Sequence, residues 1–158
     1  MRAFVSEPFC DVMQVHARLK QCILLDEADE LDGGPRQRVV FFWERRFQVV
    51  ASVFKGLGYS DMLLDKRVVA MARYDREHGS SYLETAVMSV RFPGSPAEAA
   101  EALSVHRNTY FYRVNKIGEL FELDLKDGDD RLALAFTARI LEALDDGLPG
   151  QSGLPKTN

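Results

Sequence analysis

Long hydrophobic runs are absent from this chain of 158 residues. Its longest unbroken apolar stretches have five residues each and cover residues 39–43, 68–72 and 132–136, whereas a membrane-spanning helix needs about 20. A cleaved secretion signal is also missing, because the N-terminal segment turns acidic at Glu7 before an apolar stretch of secretory length is complete. We therefore expect no membrane partner and a cytoplasmic location.

Cysteine and histidine are scarce. Cys10 and Cys22 are twelve residues apart in one predicted helix, which separates them by about 18 Å and excludes a disulfide between them. We expect both to be buried thiols in a reducing compartment. None of His16, His78 and His106 has a cysteine or a second histidine at metal-ligand spacing. The sequence therefore predicts no metal site and no cofactor.

The charge balance is mildly acidic, with 20 bases and 24 acids giving a formal charge of -4. This total argues against a protein that coats nucleic acid or anionic lipid without specificity, but it leaves room for a local basic surface. The hydrophobic fraction of 46% is that of a globular protein. Only the segment 147–158, rich in Gly and Pro, is predicted to be a disordered tail.

Residues 1–58 predict a small helical or α+β fragment with at most one or two short strands. A helix is expected from about Phe9, after a start signal at residues 6–8, to the Gly-rich segment 32–35. Its partly buried stripe is predicted to consist of Val12, Val15, Leu19, Cys22 and Ile23. Residues 39–42 fit either a short strand or a buried helical turn, and we favour the strand. Residues 44–55 predict a second helix, ended by Gly56 and Gly58.

Residues 62–146 predict a bundle of helices. One helix runs from about Asp65 to Gly79, and the next begins at a cap formed by Ser80 or Ser81. A capping box of Ser95 and Glu98 opens a short helix that ends near residue 103. Longer helices follow over residues 106–120 and from residue 129 onward. The last of these is apolar almost all round, so we expect it to lie in the core; its apolar residues are Leu132, Leu134, Phe136, Ile140, Leu141 and Leu144.

Two of these helices have the layout of a helix-turn-helix. The first is rich in alanine, at Ala97, Ala99, Ala100 and Ala102, and small side chains allow two helices to cross closely. On a helical wheel the second helix places Tyr110, Val114, Ile117 and Phe121 on one face, which should pack on the core. The other face and the N-terminal end carry polar residues of the kinds that contact DNA: His106, Arg107, Asn108, Thr109, Tyr112, Arg113 and Lys116.

No acidic residue occurs between Glu101 and Glu119. A phosphate backbone tolerates such a surface, so a net negative chain is compatible with DNA binding through one face. By pattern alone, however, a polar helix face is equally typical of a merely solvated surface. The short alanine-rich helix and the tight turn before it favour the DNA-binding interpretation.

The same stretch resembles the C-terminal helix-turn-helix of PucR/CdaR-type bacterial transcription regulators. The resemblance lies in residues 99–109 (AAEALSVHRNT), in Tyr112-Arg113 and in Lys116-Ile117, and it extends over about residues 65–144. The helix pair is also similar to the Fis-type DNA-binding unit. Residues 1–55 are more faintly similar to the end of the degenerate cyclase-like domain that precedes this module in such regulators. Tyr110, Gly118 and the Pro93-Gly94 pair depart from the family pattern.

The resemblance implies that the chain is the C-terminal portion of a longer regulator of catabolic genes. An effector-sensing region is then expected upstream. The fold it implies is mainly α, with a Fis-like helical bundle at the C-terminal end. We expect sequence-specific binding to double-stranded DNA by a homodimer that occupies two half-sites about 34 Å apart, and we expect no enzymatic activity.

Each candidate contact has a second interpretation. Arg107 is suited to a bidentate contact with guanine, or it forms a salt bridge with Glu101. Asn108 either pairs with adenine or stabilises the first helical turn. Thr109 and Tyr112 suit phosphates or a thymine methyl, although Tyr112 also suits packing on a neighbouring helix. Arg113 and Lys116 suit phosphate neutralisation, and His106 suits a helix cap or a backbone contact.

Two alternatives belong to other functional classes. In the first, the chain is an oligomerisation or protein-interaction module whose helix-turn-helix does not bind DNA. In the second, the acidic segment forms a divalent-metal site for phosphoryl transfer. That segment contains Asp26, Glu27, Asp29 and Glu30, but no phosphate-binding loop accompanies it, so a solvated helix end is the simpler interpretation.

Overall fold

The fold is mainly α-helical, as predicted. A computed structural model describes residues 2–31, 38–58 and 60–144. The predicted helix-ending segment 32–35 and the predicted disordered tail lie outside these residues. The chain forms two compact units: one comprises the residues up to Ser60 and those from Ile140 onward, and the other comprises Asp61–Arg139. No helix among the described residues has both the length and the hydropathy needed to cross a bilayer.

The first unit contains a β-α-β arrangement followed by a helix. Strand β1 (Ala3–Val5) pairs in parallel with β2 (Val39–Phe41), and helix α1 (Val15–Leu31) lies between them in the chain. Helix α2 (Arg46–Leu57) follows and ends at Gly58, whose φ of 70° closes the helix in the left-handed conformation. The core of the unit consists of Leu25, Ala28, Val40 and Val49, against which Phe4, Leu24 and Phe42 pack.

Strand β2 confirms the predicted strand, but the start predicted for the first helix was wrong. A short 3-10 turn (Val12–Gln14) comes first, with the Asp11 carboxylate accepting a hydrogen bond from the Met13 amide at 2.9 Å, and α1 begins at Val15. Glu7 is not a helix-start residue, because its carboxylate instead accepts hydrogen bonds from Arg18 and Arg46 at 2.9 and 2.7 Å. Residues 6–11 form neither helix nor strand.

Two predictions for the surface of this unit were also wrong. Cys10 lies outside α1 and is exposed, whereas Cys22 is half-buried with its thiol 3.5 Å from the Phe4 carbonyl. Four of the five residues in the stripe predicted to be partly buried are exposed, Leu19 by 58% and Ile23 by 50%, for example. The helix buries Leu25 and Ala28 instead. Both faces of α1 carry apolar residues, so periodicity alone did not identify the buried one.

The second unit is a helical bundle. Its elements are α3 (Ser60–Leu63), α4 (Lys66–His78), α5 (Tyr82–Arg91), α6 (Pro96–Ala102), α7 (Arg107–Phe121) and α8 (Gly128–Leu144), where Ser60 and the residues of α8 from Ile140 onward are grouped with the first unit. Helix α4 begins at Asp65, whose carboxylate accepts from the Arg67 and Val68 amides, and it ends at Gly79 in the left-handed conformation. Met71, Ala86, Ile117 and Leu134 are among the residues fully buried in this bundle.

The two predicted serine caps make no side-chain capping bond. Ser81 and Ser95 occupy the N-cap positions of α5 and α6, but neither has the extended backbone in which a cap hydroxyl reaches the first-turn amides. For α5 that role belongs to Asp75, whose carboxylate accepts from the Tyr82 and Leu83 amides at 2.9 and 2.7 Å. A residue of α4 therefore sets the start of α5.

Helix α8 lies in the core as predicted, but it is buried on one side only. Leu134, Thr137, Ala138 and Ile140 are buried, whereas Leu132 is 70% exposed. The buried positions recur at three- and four-residue steps, as expected for a helix with a single packing face. The apolar side chain of Leu132 therefore belongs to the surface.

Glycine 118 provides a test of this helical packing. Gly118 lies inside α7, and a methyl group there would meet only the Leu123 carbonyl oxygen, at 3.9 Å. We expect Gly118→Ala to raise the free energy of unfolding by about 0.5 to 1 kcal/mol, because alanine loses less conformational entropy in a helix. Gly94→Ala is the matched control: it too has free space, but its φ of 76° strains alanine, so it should destabilise. Urea unfolding measures both, and a destabilised Gly118→Ala protein contradicts the prediction.

Candidate nucleic-acid interface

Helices α6 and α7 form the predicted helix-turn-helix. Ala99 and Ala100 are buried, so the two helices approach closely. The turn between them is held by backbone hydrogen bonds: the Ser104 amide donates to Glu101 at 2.9 Å and the Val105 amide donates to Ala100 at 3.0 Å. Ser104 has a φ of 54°, in the left-handed region. The turn is thus a defined structure that fixes the direction in which α7 leaves α6.

The apolar face of α7 packs as the wheel predicted. Tyr110, Ile117 and Phe121 are buried and Val114 is half-buried. Near its C-terminal end, the Phe121 ring lies edge-on to Tyr74, with 5.8 Å between ring centroids. This face fixes α7 on the bundle and leaves its other side at the surface.

His106 caps the N-terminus of α7. Its Nδ1 atom accepts a hydrogen bond from the Asn108 amide at 3.2 Å. Because this nitrogen accepts, it carries no proton, and the remaining ring N–H lies on Nε2. The cap, one of the two roles predicted for His106, is thus present in the structure.

The N-terminal half of α7 exposes most of the candidate contacts. Five of the seven predicted residues are exposed: His106, Arg107, Asn108, Thr109 and Tyr112. Tyr112 is 57% exposed, which argues against the interpretation that it packs on a neighbouring helix. These five side chains are therefore accessible around the N-terminal end of α7.

Arg107 lies over the aromatic ring of Phe111, a residue that is not among the predicted contacts. Its guanidinium carbon lies 5.4 Å from the centroid of the Phe111 ring, a cation–π arrangement. No ion pair joins Arg107 to Glu101 among the described residues, so the salt-bridge interpretation of Arg107 was wrong. The four-residue spacing of Arg107 and Phe111, which places them on one helix face, was the available signal.

The other two predicted residues, Arg113 and Lys116, are half-buried and have partners within the protein. The Arg113 guanidinium lies 3.4 Å from the Thr85 hydroxyl of α5. The Lys116 ammonium donates to the Glu119 carboxylate at 2.5 Å, and this hydrogen bond raises the pKa of Lys116. A phosphate must compete with Glu119 for Lys116.

The C-terminal end of α7 is fixed by Arg67. The guanidinium of Arg67 binds the Asp65 and Asp130 carboxylates at 2.8 and 2.7 Å and also donates to the Glu122 carbonyl at 3.1 Å. Asp130 in turn accepts from the Asp124 amide at 2.8 Å. Hydrogen bonds from Arg67 hold the pKa of both carboxyl groups below their ordinary value of 3.8. This cluster joins α4, the end of α7 and the start of α8.

The Arg67 cluster predicts a pH dependence of stability. Carboxyl groups with a lowered folded-state pKa stabilise above their ordinary pKa, and this contribution disappears as the pH falls through the folded value. We therefore expect the unfolding free energy to fall as the pH drops below about 4. In the Arg67→Met variant this fall should be shallower, since the two carboxyl groups lose their cationic partner.

Urea unfolding over an acidic pH series measures this slope. Arg73→Met is the control, because Arg73 is exposed on α4 and makes no ion pair among the described residues. Equal slopes for the wild type and the Arg67→Met variant would contradict the assignment of the cluster.

Three of the four acids in the acidic segment of α1 have described side chains, and Glu30 lies outside them. Among the side chains that the structure describes, no three from His, Cys, Asp or Glu come close enough together to hold an ion. Asp29 forms an ion pair with Arg2 instead. The metal-dependent alternative thus finds no support in this part of the chain.

A short alanine-rich helix, a fixed turn and a longer helix whose exposed N-terminal half lacks acids form a helix-turn-helix domain of the kind that binds DNA. Residues 82–140 match the sequence model of the PucR C-terminal helix-turn-helix domain. This part of the chain is therefore similar to the PucR domain, and the predicted resemblance to PucR/CdaR-type regulators is confirmed.

Two curated relatives carry regulatory names. The chain is 29% identical over 161 residues to the DNA-binding transcriptional activator AdeR of Bacillus subtilis, a match that covers 82% of this chain and 38% of AdeR. It is 31% identical over 101 residues to the carbohydrate diacid regulator of Escherichia coli, covering 63% of this chain and 25% of that protein. The chain thus spans well under half the length of either relative. No solved structure matches it.

Proposed function

We propose that this chain binds double-stranded DNA with sequence specificity, with α7 entering the major groove. It acts as the C-terminal part of a bacterial transcriptional regulator of catabolic genes. The observation that carries the proposal is the division of α7 into a buried apolar face and an exposed, acid-free N-terminal half. The names of the two relatives, a transcriptional activator and a carbohydrate diacid regulator, support the regulatory role.

The proposed roles follow from the position of each side chain. Arg107, ordered against Phe111, contacts guanine, and Asn108 contacts adenine one step further along the helix. Thr109 and Tyr112 contact phosphate or a thymine methyl. His106 donates to a phosphate through Nε2, because its Nδ1 caps the helix. These contacts combine positioning on the backbone with base recognition.

Arg113 and Lys116 have a different role in the proposal. Both neutralise phosphate only after they exchange an intramolecular partner, Thr85 or Glu119, for the DNA. Their contribution to affinity is therefore smaller than that of a free cation. It is also independent of base sequence.

The proposal extends to the whole protein. Residues 62–146 form the DNA-binding domain, and residues 1–58 are the end of a degenerate cyclase-like domain. The greater length of the relatives supports an effector-sensing region elsewhere in the protein. The regulator works as a homodimer in the cytoplasm and acts by binding, without catalysis. Two recognition helices give the specificity that one helix, reading only a few base pairs, lacks.

Fluorescence anisotropy with the DNA upstream of the protein's own gene tests the recognition helix. Arg107→Ala should weaken binding about tenfold to a hundredfold and reduce discrimination against mutated sites, since a bidentate arginine contact is lost. The control is Arg73→Ala, which removes an exposed arginine of α4, outside the helix-turn-helix. Equal binding by the wild type and the Arg107→Ala variant would falsify the assignment.

The salt dependence of binding tests Lys116. Lys116→Ala should weaken binding to all sequences equally and reduce the slope of log K against log salt by about 1. Glu119→Gln should tighten binding, because it releases Lys116 from its intramolecular partner. If the chain self-associates but shows no salt-dependent affinity for any duplex, the oligomerisation alternative replaces the proposal.

A further inference from the structure

Phe111 places an apolar ring beside the side chains that are proposed to contact bases. It lies in the N-terminal half of α7, and its side chain is 39% exposed. At about 100° per residue, it lies about 40° around the helix from Arg107 and about 60° from Asn108, on the following turn. The direction of Phe111 therefore falls between those of the two proposed base contacts.

The Phe111 ring is held from two sides. It lies edge-on to the ring of the buried Tyr110, with 5.7 Å between the two ring centroids. The Arg107 guanidinium carbon lies 5.4 Å from the centroid of the Phe111 ring. Both contacts restrict the rotation of the side chain. Because the ring is ordered in the protein itself, a contact with a base costs little side-chain entropy.

The chemistry of the ring selects one base. A phenyl ring offers no hydrogen-bond donor or acceptor to a base edge, and the thymine methyl is the apolar group that base pairs present in the major groove. Placed against an amino group or a ring nitrogen, Phe111 would displace water without replacing its hydrogen bond, which is unfavourable. The ring therefore favours thymine over the other three bases.

The distance between Arg107 and Phe111 indicates which thymine is within reach. A guanidinium in a bidentate contact lies near the plane of its guanine, since both groups are planar. Successive base pairs are about 3.4 Å apart along the duplex. The 5.4 Å between the guanidinium carbon and the ring centroid thus lies between one and two base-pair steps. The ring reaches the base pair next to the guanine.

We propose that Phe111 is a further specificity-determining residue of α7, which contacts the methyl group of a thymine adjacent to the guanine bound by Arg107. The proposal rests on the proposed function and deepens it, because it names part of the DNA sequence that α7 recognises. Phe111 then has two roles: it orders Arg107, and it reads a neighbouring base pair that hydrogen bonds from Arg107 and Asn108 do not select.

A uridine scan of duplex DNA tests the methyl contact. Deoxyuridine pairs as thymidine does and keeps the O4 acceptor, but it lacks the methyl group. Each thymine in the bound segment of the DNA upstream of the protein's own gene is replaced in turn, and fluorescence anisotropy measures the affinity of the full chain. At the contacted thymine, the replacement should weaken wild-type binding about threefold to fivefold, the loss expected for one buried methyl group.

The Phe111→Ala variant shows whether the ring makes this contact. It should bind the thymine duplex more weakly than the wild type, and uridine at the contacted position should cause no further loss. Leu120→Ala is the matched control, because Leu120 is an apolar residue of α7 with 47% exposure that lies outside the N-terminal half. It should keep the wild-type response to uridine. Circular dichroism checks the fold of both variants, and the wild-type scan needs no variant.

A second scan with 7-deazaguanine tests the adjacency of the two bases. This base lacks the N7 acceptor of the bidentate arginine contact. The guanine at which it weakens binding by the wild type, but not by the Arg107→Ala variant, is the partner of Arg107. The thymine identified through Phe111 should lie in the next base pair, and any other position overturns the proposed geometry.

The inference is overturned if the wild type binds the duplex but no uridine replacement weakens binding. It is also overturned if the Phe111→Ala variant responds to uridine as the wild type does at every thymine. Both results leave the proposed function in place, because the chain still binds DNA. A wild-type chain with no affinity for the duplex overturns the proposed function, and the inference with it.

Discussion

The close crossing of α6 and α7 is the constraint on which the DNA-binding surface depends. Ala99 and Ala100 are buried at this crossing, and close packing leaves no room for a larger side chain without displacing one of the helices. The turn bonds at Ser104 and Val105 then fix the angle of departure. These small residues allow the apolar face of α7 to pack on the bundle, and this packing sets the direction in which the polar side of α7 faces.

The polar side of α7 is divided into two parts with different physical character. At the N-terminal end, Arg107 and its neighbours are exposed, and the Phe111 ring restricts the guanidinium without neutralising it. Toward the middle, Arg113 and Lys116 are held by groups of the protein itself. In the proposed complex, the exposed residues of the first part contact DNA directly, whereas Arg113 and Lys116 first give up their partners within the protein. We therefore propose that sequence discrimination and general affinity arise from different turns of one helix.

Local pattern predicted α7 well, because its apolar spacing and its polar side lie within one continuous helix. The structure confirms the buried positions Tyr110, Ile117 and Phe121. The local sequence pattern gave wrong predictions where a residue distant in the sequence determines the structure. The cap of α5 comes from Asp75 on another helix, and β1 is a strand only because it pairs with a segment more than thirty residues away. The stripe of α1 that was predicted to be partly buried was assigned to the wrong side of the helix, because two faces of that helix are apolar.

The two ends of α7 are held in different ways. At the N-terminal end, His106 caps the helix with its own Nδ1 atom. At the C-terminal end, the Arg67 guanidinium of α4 donates to the Glu122 carbonyl, and the Asp65 and Asp130 carboxylates hold that guanidinium in place. Hydrogen bonds from Arg67 lower the pKa of both carboxyl groups, so the cluster stays ionised until the pH falls below about 4. The attachment of the C-terminal end of α7 therefore depends on acidity, whereas its apolar packing on the bundle does not.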